Sequence, residues 1–128
     1  MNYLIDTHVL IWFGETSPQL PERIRVLIED TSNNIFVSTA AIWEMAIKMA
    51  LKKLEVTYTL SQWEYMLLRN QFSLLHADFR HFETLQTLPF HHQDPFDRLM
   101  ISQAIIADLT IITHDKQYKL YPVKLEFF

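Results

Sequence analysis

The sequence predicts an α/β domain built on a mostly parallel sheet with helices on both faces, and three stretches carry that expectation. Short apolar runs at Asn2 to Ile5, Ile35 to Val37 and Leu109 to Thr113 have the length and β-branched content of buried strands. Each run stops on polar residues of the capping kind, at Asp6-Thr7, Ser38-Thr39 and Thr113-His114-Asp115, and the first two lead directly into helical periodicity. Strands that alternate with helices in this way assemble into parallel sheets, because each crossover needs a helix to carry the chain back.

In chain order, Val9 to Phe13 follow the first cap as an unbroken apolar run, more than one core-facing stripe requires. Part of that helix, together with Trp12 and Trp43, is therefore expected to meet a partner. Ser17-Pro18 breaks the chain, and Leu20 to Glu29 reads as an amphipathic helix through Leu20, Ile24, Leu27 and Ile28. After Ser38-Thr39 a longer helix places Ala40, Trp43, Ile47, Ala50, Leu51 and Leu54 in its core stripe. Glu44, Lys48 and Lys52 then share another face, where Glu44 reads locally as an exposed partner of Lys48. Leu60 to Asn70 is a helix with Trp63, Met66 and Leu67 inward, Phe72 to Leu75 a short strand, and Asp78 to Leu88 a helix stopped by Pro89. Asp94 as N-cap and Pro95 at the first helical position open the next helix, with Asp97 in its first turn and Leu99, Met100, Ala104 and Ala107 at helical spacing. Tyr121 to Leu125 is expected as an edge strand.

Composition narrows the function. The 128 residues suffice for one domain, 1–128, with a real core. The absence of Cys excludes a disulfide framework, thiolate ligands and a cysteine nucleophile, and the single glycine, Gly14, excludes glycine-rich phosphate loops. The net charge of −4 opposes broad adhesion to nucleic acid, although a bound divalent cation reverses the sign locally. The N-terminus has no basic lead-in and no window approaches the roughly 18 charge-free apolar residues of a spanning helix. A cytoplasmic protein without membrane contact is the expectation.

In parallel sheets ligands bind beyond the carboxyl ends of the strands. Asp6 and Asp115 end two apolar runs, and Glu44 and Asp97 lie in the opening turns of two helices that can start at the same edge. Four acids then converge. Carboxylates about 5 Å apart repel by roughly 3 kcal/mol per pair at an effective dielectric of about 20, which a divalent ion relieves. Oxygen ligands without Cys or His spacing suit Mg2+, with Mn2+ as its substitute, rather than zinc. Mg2+ held by few carboxylates also takes phosphate oxygens, so the expected chemistry is phosphodiester hydrolysis leaving 5′-phosphate and 3′-hydroxyl ends, on RNA or DNA alike.

Four stretches in this order, LIDTHVLIW at 4–12, VSTAAIWEMAIK at 37–48, HHQDPFDRLMISQA at 91–104 and IITHD at 111–115, resemble the PIN domain of the VapC-like toxins in VapBC toxin–antitoxin pairs. The resemblance implies a PIN-like three-layer α/β/α domain with a five-stranded sheet and a Mg2+-dependent endoribonuclease toxin. It also implies a homodimer, neutralised by a VapB-like antitoxin whose C-terminal segment lies across the site. Residue by residue, it implies that Asp6, Glu44 and Asp97 are the acidic metal-site residues and Asp115 the fourth acid. Thr7, Ser38 and Thr113 are the adjoining hydroxyls that orient carboxylates or waters. Asp94 belongs to the HxDPFDR pattern at His92 to Arg98 and is read as an N-cap behind the ligands. Arg98 is read as a contact to the scissile phosphate or to an antitoxin acid, or as a salt bridge to a neighbouring acid such as Asp94. Lys48, with Lys52 and Lys53, is read as a guide for the RNA backbone or a solvated face. His91 and His92 read as loop or cap residues and His114 as a turn residue. Two positions depart from the family pattern: Ala41 stands where relatives have a second hydroxyl residue, and Lys52 where they have glycine. The alternative is a catalytically inactive PIN-like module that binds RNA or a partner, against which all four acids count. A phosphoacceptor domain built on Asp6 is disfavoured by Thr7, which stands where a neighbouring acid is needed.

Overall fold

The computed structural model describes residues 1–128. Its strands are β1 (Asn2–Ile5), β2 (Asn34–Ser38), β3 (Ser73–Leu75), β4 (Thr110–Thr113) and β5 (Lys124–Phe127). Its helices are α1 (Thr7–Gly14), α2 (Glu22–Glu29), α3 (Thr39–Ala50), α4 (Leu60–Arg69), α5 (Phe79–Thr87) and α6 (Pro95–Ala107). The strands form one sheet in the order β3-β2-β1-β4-β5, and every pairing is parallel, where the sequence suggested mostly parallel. No helix is long and apolar enough to cross a membrane.

The connectivity sets the position of the site. From β1 the chain moves outward through β2 to β3, then returns to lay β4 on the other side of β1. The order therefore reverses between β1 and β4, and the crevice at their carboxyl ends is the switch point where such sheets bind ligands. The register pairs Tyr3 with Thr110 and Ile5 with Ile112, which brings Asp6 level with Thr113. Leu4, Ile5, Ile111 and Ile112 are fully buried, as side chains must be when a parallel sheet is covered on both faces. Val9 and Leu10 of α1, Ala40, Ala41 and Met45 of α3, and Met100, Ile101 and Ala104 of α6 complete the centre of the core. The apolar surplus at Val9 to Phe13 is thus mostly core, with only Ile11 and Trp12 half-buried.

Two expectations about elements are corrected. The inward face of α3 is Ala40, Ala41, Glu44 and Met45, not the stripe through Trp43, Ile47, Ala50, Leu51 and Leu54. Trp43 is 61% exposed and packs edge-on against Phe96, and Leu51 is exposed beyond the helix end. The cause is that a carboxylate occupies a core-facing position, so the most apolar stripe is not the buried one. β5 starts at Lys124 rather than Tyr121 because Pro122 lacks the N–H a ladder needs, and a 3-10 turn (Lys116–Leu120) precedes it. Lys52 takes φ 57°, the left-handed conformation that favours glycine, the residue the family resemblance implies at this position.

Gly14 ends α1 directly against the fully buried Trp63 of α4, and a Cβ there would overlap the indole ring. Alanine favours a helix by about 0.5–1 kcal/mol over glycine, whereas forcing a rigid buried ring aside costs about 1–3 kcal/mol. The contact outweighs the propensity. Gly14→Ala is expected to lower the thermal midpoint, and a raised midpoint would show that Trp63 yields freely.

Candidate functional site

Asp6 follows β1 and caps α1. Its Oδ1 accepts from the Val9 N–H at 2.8 Å and its Oδ2 from the Thr113 hydroxyl at 2.5 Å, the contact that the β1/β4 register prepares. It is buried, and burial pushes its carboxyl upward in pKa against the pull of those two hydrogen bonds. Glu44 is also buried, 3% exposed, rather than the solvent-facing partner of Lys48 that its local sequence suggests. Its Oε1 accepts from Thr7 Oγ1 at 2.7 Å, and its Oε2 lies 2.6 Å from Lys48 Nζ, a bond that raises the lysine's pKa. Lys48 is therefore engaged with an acid of the site.

Asp97, in the first turn of α6, is the hub. Its Oδ1 accepts from the Tyr118 hydroxyl at 2.5 Å and its Oδ2 lies 3.1 Å from His92 Nε2. Burial pushes its pKa up to about 7, helped by the charges of Asp94 and Asp6 and opposed by Tyr118 and His92. Tyr118 is itself buried among the acids, and burial first, then the carboxylates, holds its hydroxyl well above the usual pKa. Asp94 caps α6, accepting from the N–H groups of Phe96 and Asp97 at 2.8 and 3.1 Å. Asp115 caps the 3-10 turn through the Gln117 N–H and places Oδ2 2.8 Å from His92 Nε2. The Asp94 N–H donates to His92 Nδ1 at 3.1 Å, so the imidazole proton is on Nε2, facing Asp97 and Asp115.

Potential ligand atoms therefore gather in two groups joined at Asp97. Those of Glu44, Asp94 and Asp97 lie within 4.8 Å of one another, as do those of His92, Asp97 and Asp115. Asp6 is in neither group, although its charge acts on Asp97 and it feels that of Asp115. Three of the four predicted acids thus meet around Asp97, Asp94 joins them as a potential ligand, and Asp6 stands at the strand end beside them. The donor set fits a hard divalent cation: oxygens dominate, they are crowded, and the hub carboxyl holds a proton abnormally well when only protein surrounds it.

Thr7 and Thr113 each donate to an acid, but Ser38 and Arg98 do not take the places predicted for them. Ser38 accepts from the Ala40 N–H as the cap of α3 and donates to Gln103 Oε1 at 2.5 Å, so helix capping and its tie to α6 absorb the hydroxyl. Arg98 is buried and meets neither an acid nor the crevice. It donates to the carbonyls of Leu85, Leu88 and Pro89 and to the Tyr121 hydroxyl, beneath the Phe90 ring. Being next to Asp97 on a helix turns it about 100° away, toward the carbonyls at the end of α5. His92 and Tyr118 are the residues that sequence reasoning passed over. His92 had a usable signal, since a histidine two residues before an N-cap can accept the cap's N–H, whereas Tyr118 had none.

The sequence profile of the PIN domain matches residues 3–124. Among solved structures the chain is similar to VapBC2 from Rickettsia felis bound to a promoter DNA fragment, at 17% identity and TM-score 0.72, over 100% of this chain and 99% of that one. VapBC-1 from nontypeable Haemophilus influenzae gives 16% identity and TM-score 0.72 over 99% and 98% of the two chains. DNA-bound VapBC from Salmonella typhimurium gives 14% and 0.70 over 99% and 98%. At these identities the likeness is one of fold. No curated protein sequence matches the chain.

Folded Asp97 keeps its proton up to about pH 7, while an unfolded aspartate ionises near about 3.9. Folding therefore binds a proton between those values, so stability without divalent metal falls as pH rises toward 7 and levels off above it. The midpoint of wild type is expected to fall more steeply than that of Asp97→Asn from about pH 5 to about pH 7.5. Tyr118→Phe, which removes a donor to the carboxylate, moves the decline to higher pH. Equal slopes in wild type and Asp97→Asn would show that Asp97 is ionised throughout.

Proposed function

The chain belongs to the PIN domain family, and on that premise we propose that it is a Mg2+-dependent endoribonuclease, the toxin of a VapBC-type pair. The observation that carries this reading is the pair of ligand groups sharing Asp97 at the switch point of the sheet. Glu44, Asp97 and Asp115 would hold Mg2+, or Mn2+ in its place, with Asp94 grouped with Glu44 and Asp97, and Asp6 joins them on the family resemblance, from its place beside the two groups. When bound, the ion supplies charge that neutralises the carboxylates and activates water toward the phosphodiester.

The protein's own groups prepare that site. Tyr118 and Thr7 fix the rotamers of Asp97 and Glu44, and Thr113 fixes Asp6, so the oxygens are presented without reorganisation. Lys48 balances one carboxylate and caps the charge that the cluster must hold. His92 keeps a proton on Nε2 between Asp97 and Asp115. RNA as the substrate follows from the family resemblance, since carboxylate chemistry needs no 2′-hydroxyl. Cleavage leaves 5′-phosphate and 3′-hydroxyl ends.

The named relatives are toxin–antitoxin complexes, and we infer a VapB-like antitoxin for this chain, in a cytoplasmic setting with its RNA. The exposed Trp43, Phe90, Phe79 and Phe82 offer apolar surface to that partner or to a second copy in a homodimer. Purified wild type with Mg2+ is expected to cut a pool of structured RNA into fragments with 5′-phosphates. EDTA, Asp97→Asn and Asp6→Asn should each reduce the rate by at least 100-fold (an order-of-magnitude expectation for loss of a metal ligand) with the fold retained by circular dichroism. Equal cleavage by wild type and both variants would remove the catalytic reading and leave a binding module.

A further inference from the structure

The acids offer two places for a cation, and the protein closes one of them. Both places include Asp97: one is Glu44, Asp94 and Asp97, the other His92, Asp97 and Asp115. In the second, His92 Nε2 stands between the carboxylates, 2.8 Å from Asp115 Oδ2 and 3.1 Å from Asp97 Oδ2. The Asp94 N–H donates to Nδ1 at 3.1 Å, so the lone pair that a metal needs is on the far side of the ring and Nε2 presents a proton. Making Nε2 a ligand would move that proton to Nδ1, against the N–H of Asp94.

The ring is also braced. It meets Tyr118 edge-on with centroids 5.8 Å apart, and the His92 backbone N–H donates to the Tyr121 hydroxyl at 2.8 Å. Tyr121 donates in turn to the Pro89 carbonyl at 2.7 Å and accepts from the buried Arg98 at 3.3 Å. The His92 side chain is 12% exposed. The first place is guarded more loosely: Lys48 Nζ reaches Glu44 at 2.6 Å on a flexible stem that is 41% exposed and can swing into water.

We propose that the acids take one cation rather than two, between Glu44, Asp94 and Asp97, and that His92 supplies its Nε2–H in place of a second cation between Asp97 and Asp115. The proposal rests on the metal-dependent reading above and sharpens it, since Asp115 then serves the ion through His92 and Asp97. A donor between two carboxylates lowers their repulsion through charge-assisted hydrogen bonds, but it has no open position for water or a phosphate oxygen. Asp97 keeps lone pairs for the ion, because an ionised carboxylate has about four acceptor sites. His92 is thus a positioning residue that sets Asp97 and Asp115, and the Arg98–Tyr121 pair sets His92.

The test counts Mn2+ on the full chain after EDTA treatment and dialysis. Free Mn2+ gives a sharp electron paramagnetic resonance signal that the bound ion loses, so a titration counts sites, and pulsed spectra show whether a nitrogen is coordinated. Wild type is expected to bind one Mn2+ without coordinated nitrogen, and Asp97→Asn to weaken that binding by about tenfold or more. In His92→Ala the vacated place should take a second Mn2+, seen as a spin-coupled pair. His92→Gln, which keeps an N–H donor, should return the count to one. Two ions on wild type, or a nitrogen ligand on its Mn2+, overturn the assignment of His92 while the metal-dependent reading stands. A folded His92→Ala that still binds one ion overturns it equally. Should His92→Ala fail to fold, His92→Gln decides: one ion supports the assignment and two overturn it. No Mn2+ binding, or binding unchanged in Asp97→Asn, removes the metal-dependent reading and this proposal with it.

Discussion

The constraint on which this fold depends is the crowding of several carboxylates, with their oxygens within 4.8 Å of one another. Glu44, Asp94 and Asp97 sit close enough for one ion to touch all three, and Asp115 approaches Asp97 across His92. Uncompensated, each such pair costs roughly 3 kcal/mol at an effective dielectric of about 20, a large share of a small domain's net stability of about 5–15 kcal/mol. The surrounding residues reduce that cost with donors rather than by removing charge. Thr7, Thr113, Tyr118, Lys48, His92 and the N–H groups that open α1 and α6 each give a hydrogen bond to an acid. What they leave unsolved is visible at Asp97, where burial first, and then the charges of Asp94 and Asp6, push the pKa up to about 7.

Those donors can converge only because of the connectivity. The reversal of strand order between β1 and β4 puts the end of the first strand beside the end of the fourth, more than a hundred residues later, and the Thr113–Asp6 hydrogen bond closes that gap. α3 and α6 start at the same edge of the sheet and meet through Ser38 and Gln103. Ser38 therefore serves the site at one remove: it fixes how α3 leaves β2, and α3 carries Glu44. Arg98 acts similarly, tying the end of α5 to the start of α6 through the carbonyls of Leu85, Leu88 and Pro89.

The parts of this arrangement that were legible from sequence share one property: they are written in neighbouring residues. Asp6, Asp94 and Asp97 stand where strands end and helices begin, and capping chemistry is local. The strand order was not in the residues themselves, since register depends on contacts between distant segments, and the family resemblance implied the number of strands rather than their order. Glu44 shows the limit from the other side. Helical periodicity assigns the core to the most apolar stripe, and α3 breaks that rule by turning a carboxylate inward and leaving Trp43 outside. Pattern reasoning fails there because the inward face serves a charged site rather than a hydrophobic one. Tyr118 was hidden for a further reason, as an apolar-looking residue on a 3-10 turn whose one polar atom happens to reach Asp97.

An acidic site in a chain of net charge −4 has an unusual relation to a polyanion. Nucleic-acid binding commonly draws its affinity from lysines and arginines that neutralise phosphates, yet the buried arginine near this site is committed to carbonyls and the nearest lysine to Glu44. On the proposed reading, attraction over long range is then weak, and recognition acts at contact, where a cation would be shared between carboxylates and phosphate. A nuclease of that kind would gain little from backbone charge alone, so its discrimination would rest on whether a particular phosphate can reach the acids.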